Sequence, residues 1–322
     1  PGAALTRIAT SHIRVGTFQF FAAHFGAEHV TQLSDYSIRR HFPDLAGADN
    51  PHLALLDRVT GLQCELIAHW LGVGFIHGVM NTDNVAISGE TIDYGPCAFM
   101  DRFAVNTVFS SIDAGGRYAY GRQPQIMHWN MARFAEALLP AIHRVSPEDV
   151  EAAKAIVDAI PGRFRASWHA MARKKLGLSG EGADDSELID TLFDELETHG
   201  VDFTSFFRAL AMLLRGDGAM LESLLPNADA MAPWIAAWWD RIAQDSAGPI
   251  DHADAMDAVN PLYIPRNHLV EEALEAAEAG DLAPWLQLLG VVRHPYEVRP
   301  GLERFTLPAP ADAGPYKTFC GT

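Results

Sequence analysis

One stretch, from His77 to Gly95, constrains the fold of this chain more than any other. The apolar helical run that precedes it ends at its first residues. Within it, residues 85–88 and 91–93 are predicted to form two short strands, and Gly89-Glu90 between them is a two-residue hairpin connection. The sequence therefore predicts a loop, a β-hairpin and a second loop.

Three oxygen-bearing side chains, Asp83, Asn84 and Asp93, flank this predicted hairpin. The hairpin folds the first two back towards Asp93, which places two carboxylates and an amide oxygen around one point. A hard cation such as Mg²⁺ takes oxygen ligands of this kind and keeps room in its shell for phosphates and water. An Asp or Asn in a loop more often hydrogen-bonds within its own turn. It is the joint spacing of the three that favours a metal site.

The order of these residues is that of a protein-kinase catalytic centre, in which H-R-D-x-x-x-x-N is followed by D-F-G and the Asn and second Asp hold the metal. His77, Asn84 and the triplet Asp93-Tyr94-Gly95 occupy the corresponding positions. Val79 stands where a kinase carries its catalytic Asp, and its isopropyl group accepts no proton. Asp83, next to Asn84, is the substitute that the sequence offers. We assign His77 a structural role.

The sequences of these motifs, H-G-V-M-N-T-D-N followed by I-D-Y-G-P, closely resemble those of the selenoprotein O family of kinase-fold pseudokinases, whose bacterial members are called YdiU proteins. The resemblance covers most of the chain, and its motifs are far more specific than an Asp-x-Gly alone. Further matching segments are Pro1-Gly2-Ala3, Ser11-His12-Ile13-Arg14-Val15-Gly16, Gly116-Arg117-Tyr118, Gln123-Pro124 and Pro265-Arg266-Asn267-His268.

The resemblance implies an enzyme that binds ATP in an inverted orientation and transfers AMP, rather than the terminal phosphate, to Ser, Thr or Tyr hydroxyls of proteins. It implies Asp83 as the catalytic residue, and Asn84 and Asp93 as ligands of Mg²⁺ or Mn²⁺. It also implies that Arg7, Arg14 and Asp93 bind the nucleotide. Guanidinium groups suit phosphates because their planar forks donate paired hydrogen bonds and stay charged. From the residues alone, both arginines would be interpreted as surface ion-pair residues, and the resemblance reverses that interpretation.

Charge and hydropathy exclude several other classes of function. The chain has 41 Asp and Glu against 24 Lys and Arg, a formal net charge of −17, which opposes binding to nucleic acids and to anionic membranes. ATP, itself an anion, therefore needs local basic residues and a metal. The longest apolar run, residues 70–80, is much shorter than the about 20 residues that span a bilayer. We expect a cytoplasmic protein whose partners are ATP and protein substrates.

The cysteines, Cys64, Cys97 and Cys320, are too widely spaced for a disulfide framework or a zinc site. The resemblance places Cys320 where eukaryotic selenoprotein O carries its selenocysteine. Phe319 precedes it, where those proteins have a Cys. The sequence therefore indicates a free C-terminal thiol, with Cys97 as the internal candidate for a disulfide.

Helical periodicity dominates the rest of the chain. Residues 51–71 form the clearest predicted helix, opened by Asn50-Pro51, and residues 127–139 form another that is expected to stop at Pro140. Later predicted helices cover residues 146–160, 187–198, 203–215, 231–243 and 269–280.

We therefore expect an α+β fold that is mostly α-helical: a protein-kinase-like large lobe with a short β-hairpin at the active site and a C-terminal helical extension. Residues 1–145 are assigned to the catalytic core, and residues 146–322 to the helical extension of the same lobe with a mobile C-terminal tail. A kinase fold also needs a Gly-rich loop, a phosphate-binding Lys and a Glu that holds this Lys, and the sequence offers no match to them. The resemblance places these elements before Pro1, so the 322 residues are expected to be the large lobe of a longer protein, incomplete for activity alone.

Two further functions stay open. A catalytically silent pseudokinase that binds nucleotide or a partner protein is favoured by Val79 and by the missing elements. A small-molecule phosphotransferase of the aminoglycoside-kinase type has the same Asn and Asp metal pair, but it normally keeps an Asp two residues after the His. The sequence leaves open whether UMP replaces AMP.

Overall fold

The computed structural model describes residues 6–146, 148–227, 229–310 and 313–319. Within them the chain is mostly α-helical with one small antiparallel sheet, which confirms the prediction of a mostly α-helical α+β fold. The strands are β1 (Phe75–Ile76) and β2 (Ala98–Phe99). The helices are α1 (Val15–His24), α2 (Ala27–His41), α3 (Pro51–Gly72), α4 (Gln123–Val145), α5 (Asp149–Asp158), α6 (Ile160–Lys175), α7 (Asp185–His199), α8 (Phe203–Leu214), α9 (Ala219–Leu224), α10 (Ala232–Ile242), α11 (Pro249–Val259), α12 (Asn267–Glu278) and α13 (Ala283–Val292).

Helix α3 is the central support of the site. The Asn50 side chain accepts a hydrogen bond from Leu53 N (3.3 Å), and Pro51 occupies the first turn, so the helix begins where the sequence predicted. Its apolar stripe is buried against α4 and α6. The chain leaves α3 at Gly72 and enters β1 three residues later.

Helix α4 is longer than predicted. The expected stop at Pro140 is wrong, because the helix continues to Val145 with Pro140 inside it. Proline removes one helical hydrogen bond. The side chains of Leu138, Ala141 and Ile142 are fully buried on both sides of it, so burial of this apolar face offsets the lost bond.

The predicted hairpin between residues 85 and 93 is also wrong. Val85 O accepts a hydrogen bond from Val15 N (2.9 Å), and Ile87 N donates to Ile13 O (3.0 Å). The first predicted strand therefore bonds through its backbone groups to residues 13–15 at the start of α1, and not to residues 91–93. The active-site sheet is instead the pair β1–β2, which brackets the site stretch.

One large hydrophobic core extends from Val15 to Met256 and crosses the predicted boundary at residue 145. A second, smaller core lies between α12 and α13 around Leu269 and Leu288. In the described part of the chain, none of the helices combines the length and the apolar character that a membrane crossing requires.

Candidate active site

The sheet holds both ends of the site stretch. Phe75 pairs with Phe99 and Ile76 with Ala98, so the residues that follow β1 and those that precede β2 start from neighbouring positions. The loop that begins at His77 and the loop that carries Asp93 are thereby brought side by side. The β1–β2 sheet, and not the predicted hairpin, therefore brings Asp83 and Asn84 towards Asp93.

His77 joins the two loops from inside. Its ring is fully buried and stacks on Trp70 at a centroid distance of 5.3 Å. Nε2 lies 2.8 Å from the carbonyl oxygen of Ile92, next to Asp93, and Nδ1 accepts a 3.4 Å bond from Val79 N. Because Nδ1 accepts from Val79 N, the proton is on Nε2, which donates to Ile92 O. Burial lowers the pKa of His77 and favours this neutral form. These contacts agree with a structural role.

Helix α4 supplies two amide side chains that the sequence analysis assigned no role. Gln123 accepts from His77 N (3.1 Å) and donates to Phe75 O (3.0 Å), and Asn130 donates to Met80 O (2.9 Å). Both are fully buried. Polar residues on the buried face of an otherwise apolar helix are the signal that could have identified them.

Asp83 and Asn84 lie in a single 3₁₀ turn, Thr82–Asn84. Asn84 N donates to Asn81 O (3.0 Å), and Asn84 Nδ2 donates to Val79 O (2.8 Å). The second bond fixes the amide and leaves its Oδ1 available to a ligand. The side chain of Asp83 is exposed.

Asp93 adopts the left-handed backbone conformation, with φ of +56°. Non-glycine residues in this region are uncommon, and they occur where the surrounding structure enforces them. Arg7 Nη1 donates to Asp93 Oδ1 (3.1 Å), and Arg14 Nη1 lies 2.9 Å from Asp93 Oδ2. Arg14 Nη1 also donates to the main-chain oxygen of Asp83 (2.8 Å). The structure thus brings Arg7, Arg14, Asp83 and Asp93 together, with Arg14 as the bridge.

The donor set suits a hard cation. Asp93 Oδ2 is inaccessible to solvent and has no well-oriented hydrogen-bond donor, although it is in ion-pair contact with Arg14. Among the described residues, no three His, Cys, Asp or Glu side chains lie close enough to form a metal site by themselves. A cation on Asn84 and Asp93 would therefore take its other ligands from phosphate and water, as Mg²⁺ does in phosphoryl-transfer sites.

An open cleft of about 790 Å³ lies over the Asp93 carboxylate. Its volume falls within the range of small-molecule sites, roughly 300–1,000 Å³. Arg7, His12, Arg14 and Tyr94 are among the residues that line it. The Arg7 guanidinium lies 5.8 Å from the centre of the exposed Tyr94 ring. The cleft thus combines two guanidinium groups with the carboxylates of Glu90 and Asp93 and an accessible aromatic face.

The C-terminal segment contacts the loop that follows the site. Thr318 N donates to Phe109 O (2.9 Å), Ser111 N donates to Thr318 O (2.9 Å), and the Thr318 hydroxyl donates to Pro96 O (2.7 Å). The predicted mobility of the tail stays a prediction. Cys320, predicted to carry a free thiol, lies outside the described residues. Burial raises the pKa of the thiol of Cys97, the candidate partner of Cys320.

Comparison with known proteins places the chain in a family. Residues 1–293 match the family described as "Protein adenylyltransferase SelO". Over its whole length the chain is 83% identical to a protein nucleotidyltransferase YdiU of Sphingopyxis alaskensis, of which it covers 66%. It is 54% identical to the protein of the same name from Chromobacterium violaceum, of which it covers 68%, and 50% identical to that of Mycolicibacterium paratuberculosis, of which it covers 65%. The chain thus spans about two thirds of the length of these relatives.

Proposed function

The chain belongs to the SelO family of protein adenylyltransferases, and from that premise we propose that it carries the catalytic residues of an enzyme that transfers AMP from ATP to Ser, Thr or Tyr hydroxyls of proteins. The observation that supports this most is the bridge made by Arg14, whose Nη1 contacts both the Asp83 backbone and the Asp93 carboxylate. One guanidinium thereby joins the proposed catalytic residue to the proposed metal ligand.

The proposed fold is the large lobe of a protein kinase. Its order of elements supports this: a long buried helix, the loop with His77 and Asn84, the loop with Asp93, and the α4 helix that holds the first loop in place. The phosphate-binding Lys and the Gly-rich loop would come from the part of the protein outside this chain. ATP would then be bound between the cleft described above and those elements.

In the proposed reaction, Asp83 accepts the proton of the substrate hydroxyl as its oxygen attacks the α-phosphorus of ATP. The new bond joins this oxygen to phosphorus, and the bond to the bridging oxygen breaks, so that pyrophosphate leaves. Arg7 and Arg14 bind the phosphates and neutralise their charge. Bound Mg²⁺ or Mn²⁺ on Asn84 and Asp93 would polarise the phosphate oxygens. The protein's part is positioning and electrostatic stabilisation.

Nucleotide binding by this arrangement requires a rearrangement of the arginines. In the structure both guanidinium groups neutralise Asp93, whereas in the proposed complex they bind phosphate. The charge of Asp93 would then be neutralised by a divalent cation held on Asn84 and Asp93 in place of the two guanidinium groups. About a third of each of these side chains is exposed, so the groups move without disturbing the core.

The alternative function is a silent pseudokinase that binds nucleotide or a partner protein without turnover. The ion pairs of Arg7 and Arg14 with Asp93 favour it, since they occupy the carboxylate that a metal would need. Val79 favours it as well.

Mass spectrometry after incubation of the full-length protein with ATP, Mg²⁺ and candidate substrate proteins separates these functions. We expect AMP adducts on Ser, Thr or Tyr, and their loss in the Asp83→Ala variant. Phosphate adducts would indicate an ordinary kinase. Nucleotide binding in calorimetry without any adduct would indicate the silent pseudokinase, and UTP in place of ATP tests whether UMP is transferred.

A further inference from the structure

Gly16 lies directly against Asp83. It is the second residue of α1 and is buried. A Cβ atom added at Gly16 would lie 2.0 Å from Asp83 Oδ1, 3.0 Å from Asp83 Cγ and 3.2 Å from Asp83 Cα. A separation of 2.0 Å is not sustained between non-bonded atoms, so the Asp83 carboxylate occupies the space that any other residue at position 16 would fill.

The backbone conformation of Gly16 does not require glycine. It lies within a regular helix and is not among the glycines with positive φ. A glycine in a helix weakens it relative to alanine. What the position does require is the absence of a side chain, since Asp83 is packed against it.

The two segments are fixed in register on both sides of this contact. Val15 N donates to Val85 O (2.9 Å), Ile87 N donates to Ile13 O (3.0 Å), and Arg14 Nη1 donates to Asp83 O (2.8 Å). These bonds hold the main chain of residues 83–87 beside the start of α1. A side chain at position 16 would therefore displace the exposed Asp83 carboxylate rather than the hydrogen-bonded backbone.

We propose that Gly16 is a positioning residue that sets the orientation of the Asp83 carboxylate for proton transfer. This inference rests on the proposed function, in which Asp83 is the general base. General-base catalysis depends on the base lying within hydrogen-bond reach of the proton it accepts. In this proposal Gly16 acts through Asp83.

The test compares Gly16→Ala with Gly162→Ala in the full-length protein. Gly162 lies in the first turn of α6, and a Cβ added there meets nothing within 4 Å. We expect Gly16→Ala to lower kcat at least about tenfold, a part of the roughly 10²–10⁴-fold that a general base contributes. The KM for ATP and the affinity for nucleotide are expected to stay within about twofold of wild type. Gly162→Ala is expected to keep both kinetic constants.

A double-mutant cycle with Asp83→Ala supplies a readout that does not depend on activity. With Asp83 present, Gly16→Ala is expected to lower Tm. With Asp83→Ala in place, the displaced carboxylate is gone, and Gly16→Ala is expected to leave Tm unchanged or to raise it. Equal decreases in Tm in both backgrounds, or a kcat for Gly16→Ala within twofold of wild type, overturn the proposal. A wild-type protein that transfers no AMP refutes the proposed function, while the Tm cycle still decides whether Gly16 accommodates Asp83.

Discussion

Replacement of Lys175 by Met is predicted to change how the stability of the protein depends on pH. Lys175 is 2% exposed at the end of α6. Its Nζ donates to Asn260 Oδ1 (2.7 Å) and lies 3.7 Å from the centre of the Phe207 ring. No carboxylate of the described residues forms an ion pair with it. Burial without a counter-charge lowers the pKa of Lys175 to about 7.

The sign and size of the effect follow from proton linkage. Between pH 7 and the ordinary lysine pKa of about 10.4, the unfolded chain binds a proton that the folded chain does not, so the free energy of unfolding rises with pH by at most about 1.4 kcal/mol per pH unit. From pH 7.5 to 9.5 this amounts to about 2.5 kcal/mol. With about 2.1 cal/mol/K of unfolding entropy per residue, it corresponds to a Tm change of about 4 °C. Below pH 7 both states carry the proton, and the destabilisation is constant.

The assay is thermal or urea unfolding of wild type and Lys175→Met at pH 7.5 and 9.5. We expect the stability of wild type relative to Lys175→Met to rise by about 2.5 kcal/mol between the two pH values. Subtraction removes the titration of all other groups. Lys174→Met, on the exposed neighbour in the same helix, is the matched control and is expected to show no such change. If the free energies of unfolding of wild type and Lys175→Met differ by the same amount at both pH values, the lowered pKa of Lys175 is refuted.

Three further predictions concern the site and its support. Asp93→Asn keeps a side chain that tolerates the left-handed backbone but removes the charge. Metal-dependent AMP transfer is therefore expected to fall at least about a hundredfold, while Tm changes little. Retained activity in a transfer assay with Mg²⁺ would contradict the role of Asp93 as a metal ligand. Arg266→Met removes a fully buried guanidinium that contacts Asp101 and Asp202 at 2.6 Å each. It is expected to lower the free energy of unfolding by about 3–5 kcal/mol, and a loss below about 1 kcal/mol in urea unfolding would show that the two carboxylates are solvated without it. Gly89→Ala forces a Cβ to 2.8 Å from Leu62 Cβ at a φ of +73°, so a loss of about 1–3 kcal/mol is expected in the same assay, and unchanged stability would mean that the turn is not held as described.

Helices with strong local signals were predicted closely from the sequence. The Asn-Pro start and apolar spacing of α3 located it to within a residue. Other helices were missed, such as α6 and α11, whose sequences are rich in polar residues and whose stability depends on packing against α3 and α8. The end of α4 was predicted wrongly because Pro140 was interpreted as a helix stop. The buried residues Ala141 and Ile142 stabilise the helix beyond Pro140.

The hairpin error has a different cause. The turn predicted at Gly89-Glu90 is present, since Gly89 has positive φ and Gly89 N donates to Ala86 O (3.2 Å). Residues 85–87 pair with residues 13–15, which are far away in the sequence. Spacing along the chain does not indicate a long-range partner of this kind. The sequence nevertheless predicted that Asp83 and Asp93 lie close together. The observed pairing of β1 with β2, on either side of the stretch, brings the two loops together just as the predicted hairpin would have done. The bridge by Arg14 and the contact with Gly16 arise from the same long-range pairing, and no local pattern indicated them.

The proposed binding of a single cation by Asn84 and Asp93 is tested most directly by a crystal structure of the full-length protein with Mn²⁺ and a non-hydrolysable ATP analogue. We predict an anomalous Mn²⁺ peak about 2.0–2.3 Å from Asn84 Oδ1 and an Asp93 carboxylate oxygen, with Arg7 and Arg14 moved from Asp93 onto the phosphates. A nucleotide bound with both arginines still on Asp93, or a Mn²⁺ peak away from these two side chains, would contradict the proposed site.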